Sequence, residues 1–106
     1  MNDRIARFSA LVVSDPGNPL HRFALAQAQL AAGDFAGAEA SFARCLELNP
    51  DWMVAAIRRG RCLLELGRSD EARAALLRGA ELAAVQQHEE PLEEIRELLA
   101  QLPEAD

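Results

Sequence analysis

Apolar residues recur every three or four positions along most of this chain, which is the spacing of amphipathic α-helices. The first stripe with clear ends consists of Leu20, Phe23, Ala26 and Leu30. Asn18 followed by Pro19 is typical of a helix start, because asparagine can cap free N–H groups and proline fits the first turn. Gly33 is typical of a helix end. A helix is therefore predicted between Asn18 and Gly33.

A second helix is predicted directly afterwards, from Asp34 to the pair Asn49 and Pro50. Its apolar face consists of Phe35, Ala38, Phe42, Cys45, Leu46 and Leu48. The turn formed by Gly33 and Asp34 is too short for anything but an antiparallel helix hairpin.

The pattern of apolar and helix-ending residues that predicts this hairpin repeats after 34 residues. Aligning residues 19–50 with residues 53–84 needs no gap and gives seven identical pairs: Leu30/Leu64, Gly33/Gly67, Ala38/Ala72, Ala40/Ala74, Arg44/Arg78, Glu47/Glu81 and Leu48/Leu82. In the second copy, Asp51 is predicted to cap a helix that ends at Gly67, and Ser69 to cap a helix that runs into the middle eighties. A fixed period of this length indicates stacked units of supersecondary structure.

These residues resemble the tetratricopeptide repeat family, whose 34-residue unit is a pair of antiparallel helices. The family's small, turn and aromatic positions are filled by Leu25, Ala26, Gly33, Asp34, Ala38, Phe42, Cys45 and Pro50, and in the second copy by Gly60, Gly67, Ala72, Leu76 and Gly79. The resemblance covers about residues 4–84. It implies an all-α, right-handed superhelix of antiparallel helix hairpins, with about six helices including a C-terminal capping helix.

We expect one domain with four parts. Residues 1–16 resemble the second helix of a preceding unit, residues 19–50 and 53–84 are the two full repeats, and residues 85–106 form an acidic capping helix and tail. Pro91 opens the cap, whose apolar stripe is Leu92, Ile95, Leu98, Leu99 and Leu102. A stack of repeats needs such a cap, because its last repeat otherwise exposes an apolar face.

Two large residues depart from or lie between the family's positions. Arg59 stands where the family usually has a buried Leu, so we expect a carboxylate within salt-bridge reach. The candidates are Asp51, Glu93 and Glu94. Trp52 lies in the connection between the units, where a large apolar residue is expected to plug the seam between hairpins rather than to serve as an exposed binding anchor.

Composition and charge limit the classes of fold and function that are open to this chain. Ala and Leu supply 37 of 106 residues, and Thr and Tyr are absent, which favours helix over sheet. The net charge of −6 argues against contact with nucleic acid or an anionic membrane. Residues 1–84 balance ten acidic residues with ten Arg, whereas residues 85–106 carry the whole −6. An acidic ligand is therefore not excluded from the repeats.

No catalytic or metal-binding constellation is visible. His21 and His88 are the only histidines, and both are expected to face solvent. Cys45 and Cys62 lack metal-ligand spacing and are expected to be small buried thiols. We therefore predict neither cofactor nor metal and no enzymatic activity. With no stretch typical of a signal peptide or membrane span, we expect a reduced, soluble, cytoplasmic protein.

In the tetratricopeptide repeat family, the first helices of successive units line a concave groove that binds peptides. The resemblance places nine residues there: Leu20, Phe23, Gln27 and Leu30 from the first copy, and Val54, Ile57, Arg58, Arg61 and Leu64 from the second. This groove would be apolar with a cationic edge, because Arg58 and Arg61 share a helix face. An amphipathic peptide with carboxylates would fit it.

Alternatives remain open for these residues and for the function. Leu20, Phe23, Ile57 and Leu64 could be core residues packed under a terminal helix, and the two arginines could be a solvated helix face. The first functional hypothesis is an adaptor that binds a partner protein or peptide in the groove. The second is a structural module that associates with itself, as a weak homodimer, and binds no peptide. In the first case the chain would be monomeric.

Overall fold

The computed structural model describes residues 2–103, which form six α-helices joined by short turns. The helices are α1 Asp3–Ser14, α2 Pro19–Ala31, α3 Phe35–Leu48, α4 Met53–Glu65, α5 Ser69–Val85 and α6 Glu90–Ala100. No β-strand occurs among residues 2–103. The all-α prediction is confirmed, and the second helix of the second repeat ends at Val85, in the middle eighties as predicted.

The helices stack in chain order. Each one packs against the helix before and after it, and α6 also contacts α4. Two antiparallel hairpins, α2–α3 and α4–α5, form the centre, with α1 at one end and α6 at the other. The molecule is elongated, 42 × 28 × 21 Å, as expected of a stack in which each unit touches only its neighbours. Within residues 2–103, no helix combines the length and apolar character needed to cross a membrane.

Helix α2 begins as the sequence predicts. The Asn18 side chain accepts a hydrogen bond from the Leu20 N–H at 2.9 Å, and Pro19 occupies the first turn. Gly33 has a φ of +80°, which costs glycine little. The N–H groups of Gly33 and Asp34 then bond the carbonyls of Leu30 and Gln29, which closes the helix in a Schellman motif.

Two predicted caps are wrong by one position. Helix α4 begins after Trp52, whose side chain makes no capping hydrogen bond, and helix α5 begins after Arg68. The carboxylate of Asp51 instead faces Arg78, at 3.2 Å. Arg68 replaces Ser69 because the residue that completes one Schellman motif is also the N-cap of the next helix. Asp34 combines the same two roles one repeat earlier.

Small residues allow the close packing of the second repeat. A Cβ added at Gly60 would lie 2.6 Å from Cδ2 of Leu76, and one added at Gly79 would lie 2.8 Å from Cγ1 of Ile57. Both glycines therefore leave room for a large side chain on the facing helix. Residues of α6, including Ile95, join the same buried cluster. The cap thus covers the apolar end of the second hairpin, as predicted.

Trp52 fills the seam between the two hairpins. Its ring stacks on Phe23 with centroids 4.6 Å apart, and Phe23 meets Phe42 edge-on at 5.6 Å. All three belong to or pack against the buried cluster that joins α2, α3 and α4. The interpretation of Trp52 as a plug, rather than an exposed anchor, is confirmed.

Arg59 does pair with a carboxylate, but this carboxylate is not one of the three expected. Its Nε donates a hydrogen bond to Oε1 of Glu39 on α3, at 2.9 Å. The expected partners pair elsewhere: Asp51 with Arg78, Glu93 with Arg96 and Glu94 with Arg58. The prediction was wrong because Arg59 lies on the side of α4 that faces α3, away from the cap.

Candidate functional site

A depression of about 390 Å³ lies between α2 and α4, the first helices of the two repeats. Its lining consists of Gln27, Leu30, Ala31, Arg58 and Arg61. We call this surface the α2–α4 groove. The residues meet there because those on α2 are spaced three and four apart, and the arginines on α4 three apart, so that each set shares one helix face. Four of the nine predicted groove residues are therefore brought together.

The remaining apolar candidates lie outside the α2–α4 groove. Leu20 and Val54, which occupy equivalent positions in the two repeats, begin their helices and are 68% and 36% exposed. Phe23 is half-buried by its aromatic contacts with Trp52 and Phe42.

Two candidates belong to the core. Ile57 is 3% exposed, with its side chain directed at the space that Gly79 leaves open. Leu64 packs against the same cluster and is half-buried. The expectation that Ile57 lines the groove surface is thus corrected: its side of α4 is covered by α5 and α6, which leaves only the arginine side of the helix open.

The two arginines of the groove differ in their electrostatic surroundings. Nη1 of Arg58 lies 3.2 Å from Oε1 of Glu94 on the capping helix, and both side chains stay partly exposed. Arg61 is exposed, and within residues 2–103 no carboxylate oxygen lies within 4.0 Å of it. One guanidinium is therefore neutralised by the chain itself, and the other is open to solvent.

This arrangement suits recognition rather than reaction. A guanidinium presents a planar set of N–H donors that matches a carboxylate, and the Gln27 amide adds both a donor and an acceptor. Leu30 and Ala31 give an apolar patch beside these polar groups. The groove can hold a carboxylate and a small apolar group side by side.

Two residues of this surface are not among those predicted from the sequence. Ala31 lies four residues after Gln27 and so on the same helix face, which the spacing alone could have indicated. The sequence predicts Glu94 only as a possible partner of Arg59. Its contact with Arg58 depends on how α6 lies against α4, which no local pattern specifies.

The groups with potential reactivity are not assembled into a site. Cys45 and Cys62 are fully buried as predicted, and burial raises the pKa of each thiol from 9.0 to about 11. His88 is exposed, but His21 is half-buried, because α2 has helices packed on both sides. The expectation for His21 is therefore wrong. Within residues 2–103, no three His, Cys, Asp or Glu side chains are placed to hold a metal ion.

The stacked hairpins and the groove between their first helices define a helical repeat protein. Two sequence models described as tetratricopeptide repeat match the chain, one over residues 29–102 and the other over residues 5–51. The chain therefore belongs to the tetratricopeptide repeat family, as its resemblance indicated.

Solved structures share this fold. The Yersinia enterocolitica type III secretion chaperone SycD, in complex with a peptide of the translocator YopD, is 23% identical, with a TM-score of 0.85 over 92% of this chain and 76% of that one. The first repeat domain of Spaghetti (RPAP3), bound to the HSP90 peptide SRMEEVD, is 28% identical, with a TM-score of 0.76 over 89% and 73%. The TPR2B domain of yeast Sti1, in a complex with an Hsp70 peptide, is 18% identical, with a TM-score of 0.82 over 92% and 78%. None of the curated proteins compared with the chain is significantly similar in sequence.

Proposed function

We propose that this protein is a non-enzymatic adaptor that binds a peptide or helix of a partner protein in the α2–α4 groove. The observation that carries the proposal is Arg61, an exposed guanidinium beside the apolar patch of Leu30 and Ala31. An unpaired cation next to an apolar surface is complementary to a segment that alternates apolar and acidic residues.

The similar structures support a peptide as the ligand. Three of them hold peptides of partner proteins, and the one that is 28% identical holds SRMEEVD, with three acidic residues in seven. All basic residues of the present chain are arginines. Recognition of carboxylates would therefore rest on guanidinium groups, which bind them in a fixed planar geometry.

The proposed ligand is amphipathic and acidic. A carboxylate would pair with Arg61, a neighbouring apolar side chain would cover Leu30 and Ala31, and Gln27 would bond the peptide backbone. Leu20 and Val54 are exposed apolar side chains near the starts of the two helices. We further propose a cytoplasmic location, which suits two free, buried thiols.

A fluorescence anisotropy titration tests the proposal with two synthetic peptides. The probe is labelled SLEELLSEL, and its neutral twin is SLQQLLSQL. We expect the native protein to bind the acidic probe more tightly than the twin. Arg61→Gln should weaken binding of the acidic probe about five-fold, because a charge-assisted pair at a half-open site is lost.

Arg4→Gln is the matched control, since it removes one exposed positive charge from α1, away from the groove. It should leave the affinity unchanged. If Arg61→Gln and Arg4→Gln weaken binding equally, the effect is one of net charge and the groove assignment fails. If neither peptide binds the native protein, the peptide-binding proposal fails for this ligand class.

A second candidate function, self-association at the C-terminal end, has one specific observation in its favour. Leu77 on α5 is 53% exposed, and it lies three residues before Ala80, which lines a shallow apolar pocket with Leu92 and Leu99 of α6. Sedimentation velocity at micromolar concentration distinguishes the candidates. A dimer that Leu77→Glu dissociates would favour self-association, whereas a monomer excludes it.

A further inference from the structure

One carboxylate of the capping helix reaches back to the groove. Glu94 on α6 contacts Nη1 of Arg58 on α4 at 3.2 Å, across 36 residues of sequence. Its neighbour Glu93 bonds Arg96 of the same helix instead. The cap therefore places a negative charge on a cation of the α2–α4 groove, the surface proposed above to bind acidic peptides.

We infer that Glu94 is a built-in competitor of the ligand, which occupies Arg58 until a carboxylate of the ligand displaces it. This inference rests on the proposed function and deepens it by assigning different roles to the two arginines. Arg61 is open and receives the first carboxylate. Arg58 becomes available only to a ligand whose second carboxylate lies close enough to replace Glu94.

The exposure of the pair makes this exchange feasible. The side chains of Arg58 and Glu94 are 35% and 42% exposed, so that neither has to leave a buried site. Half-exposed ion pairs of this kind are weak. Competition should therefore lower the affinity for an acidic ligand by about two- to five-fold rather than block it.

The consequence is selectivity between ligands. A neutral peptide gains nothing from Arg58 and is indifferent to Glu94. A peptide with several carboxylates loses some affinity by displacing Glu94, but it then forms a second ion pair, with Arg58. Glu94 thus reduces nonspecific capture of singly charged segments, because one carboxylate finds only Arg61 unpaired.

The test measures the affinities of the probe SLEELLSEL and its neutral twin SLQQLLSQL for variants of the cap. Glu94→Gln should bind the acidic probe about two- to five-fold more tightly than the native protein and the twin equally well. Glu93→Gln is the matched control, with the same charge change one residue away, and should bind both peptides as the native protein does. Glu94→Asp keeps the charge but shortens the reach, and should also tighten binding of the acidic probe.

A double-mutant cycle locates the effect at Arg58. Arg58→Gln should weaken binding of the acidic probe, because the second guanidinium is lost, and Glu94→Gln should give a smaller gain in that background than in the native protein. Equal affinities of the native protein, Glu94→Gln and Glu93→Gln would overturn the inference. If Arg61→Gln still weakened binding in that case, the proposed function would stand. If the acidic probe bound no better than its twin to any variant, both the proposed function and the inferred role of Glu94 would be contradicted.

Discussion

Arg59 on α4 donates a hydrogen bond from Nε to Oε1 of Glu39 on α3, at 2.9 Å. The Glu39 side chain is 12% exposed, and its other oxygen lies 3.8 Å from Nη1 of Arg68, the N-cap residue of α5. One largely buried carboxylate therefore joins three consecutive helices. It also makes a charge tolerable at a position where the repeat family usually buries a Leu, because Arg59 is neutralised where it enters the packed interface.

Glu39→Gln is predicted to lower the free energy of unfolding by about 1–2 kcal/mol, because two guanidinium groups lose their shared acceptor charge. Urea unfolding followed by circular dichroism measures this change. Glu47→Gln on the same helix is the control, since Glu47 forms only an exposed i,i+3 pair with Arg44. Its effect should stay within about 0.5 kcal/mol. Equal losses in both variants would contradict a structural role for the Glu39 contacts.

Gln87 occupies a backbone conformation that suits glycine. Its φ is +60°, and the N–H groups of Gln87 and His88 bond the carbonyls of Ala84 and Ala83, in the Schellman pattern that Gly33 and Gly67 form at the ends of α2 and α4. A residue with a Cβ is disfavoured there.

Gln87→Gly is therefore predicted to raise the free energy of unfolding by about 0.5–1 kcal/mol. The converse change, Gly67→Gln, should lower it by a similar or larger amount, because a Cβ at Gly67 meets open space and only the backbone is affected. Thermal unfolding of both variants gives the comparison. Destabilisation by Gln87→Gly would mean that the Gln87 side chain contributes more than its conformation costs.

The fold was predictable because its signals are local and repeated. Helix ends are indicated by residues whose backbone or capping preferences act within a few positions, namely Asn18, Pro19, Gly33 and Gly67. The caps at Asp51 and Ser69 were misplaced because the actual N-cap residues, Trp52 and Arg68, form no side-chain capping hydrogen bond and are not residue types that indicate a helix start.

The site was less predictable, because it depends on contacts between helices. Helical spacing places Gln27 with Leu30, and Arg58 with Arg61, on single faces, and the structure brings these pairs together. The same spacing could not show that the Ile57 side chain packs against Gly79 of α5. Pairing of long charged side chains across helices is not specified by sequence distance, so the partners of Arg58 and Arg59 required the packed structure.

Gly60 is predicted to be intolerant of any side chain. An alanine Cβ there would lie 2.6 Å from Cδ2 and 2.7 Å from Cγ of Leu76, which is itself fully buried and cannot move aside. Gly60→Ala should therefore lower the free energy of unfolding by about 1–3 kcal/mol through overpacking, although alanine is the better helix former. Gly17→Ala, in an open turn, is the control for the added methyl group. Unfolding in urea at one temperature compares the two, and a Gly60→Ala variant as stable as the native protein would contradict the tight α4–α5 contact.

The last prediction concerns alkaline pH and the two buried thiols. Burial raises the pKa of Cys45 and of Cys62 to about 11, from an ordinary value of 9.0. Between pH 9 and pH 11 the unfolded chain loses thiol protons that the folded chain keeps, so the free energy of unfolding must fall as the pH rises through this interval. The chain contains neither Lys nor Tyr. Lys and Tyr are the other side chains whose ordinary pKa lies near this interval, so their absence leaves the two thiols to dominate the change.

We expect a loss of roughly 1–2 kcal/mol per thiol between pH 9 and pH 11, with full stability retained below pH 9. Urea unfolding in the presence of a reductant, repeated at pH 8, 9, 10 and 11, measures the slope. The variant with both Cys45→Ala and Cys62→Ala has smaller side chains and a lower stability at every pH, but its slope over this interval should vanish, since no titrating thiol is left. If the double variant kept the slope of the native protein, the pH dependence would come from another source and the raised pKa of the thiols would be wrong.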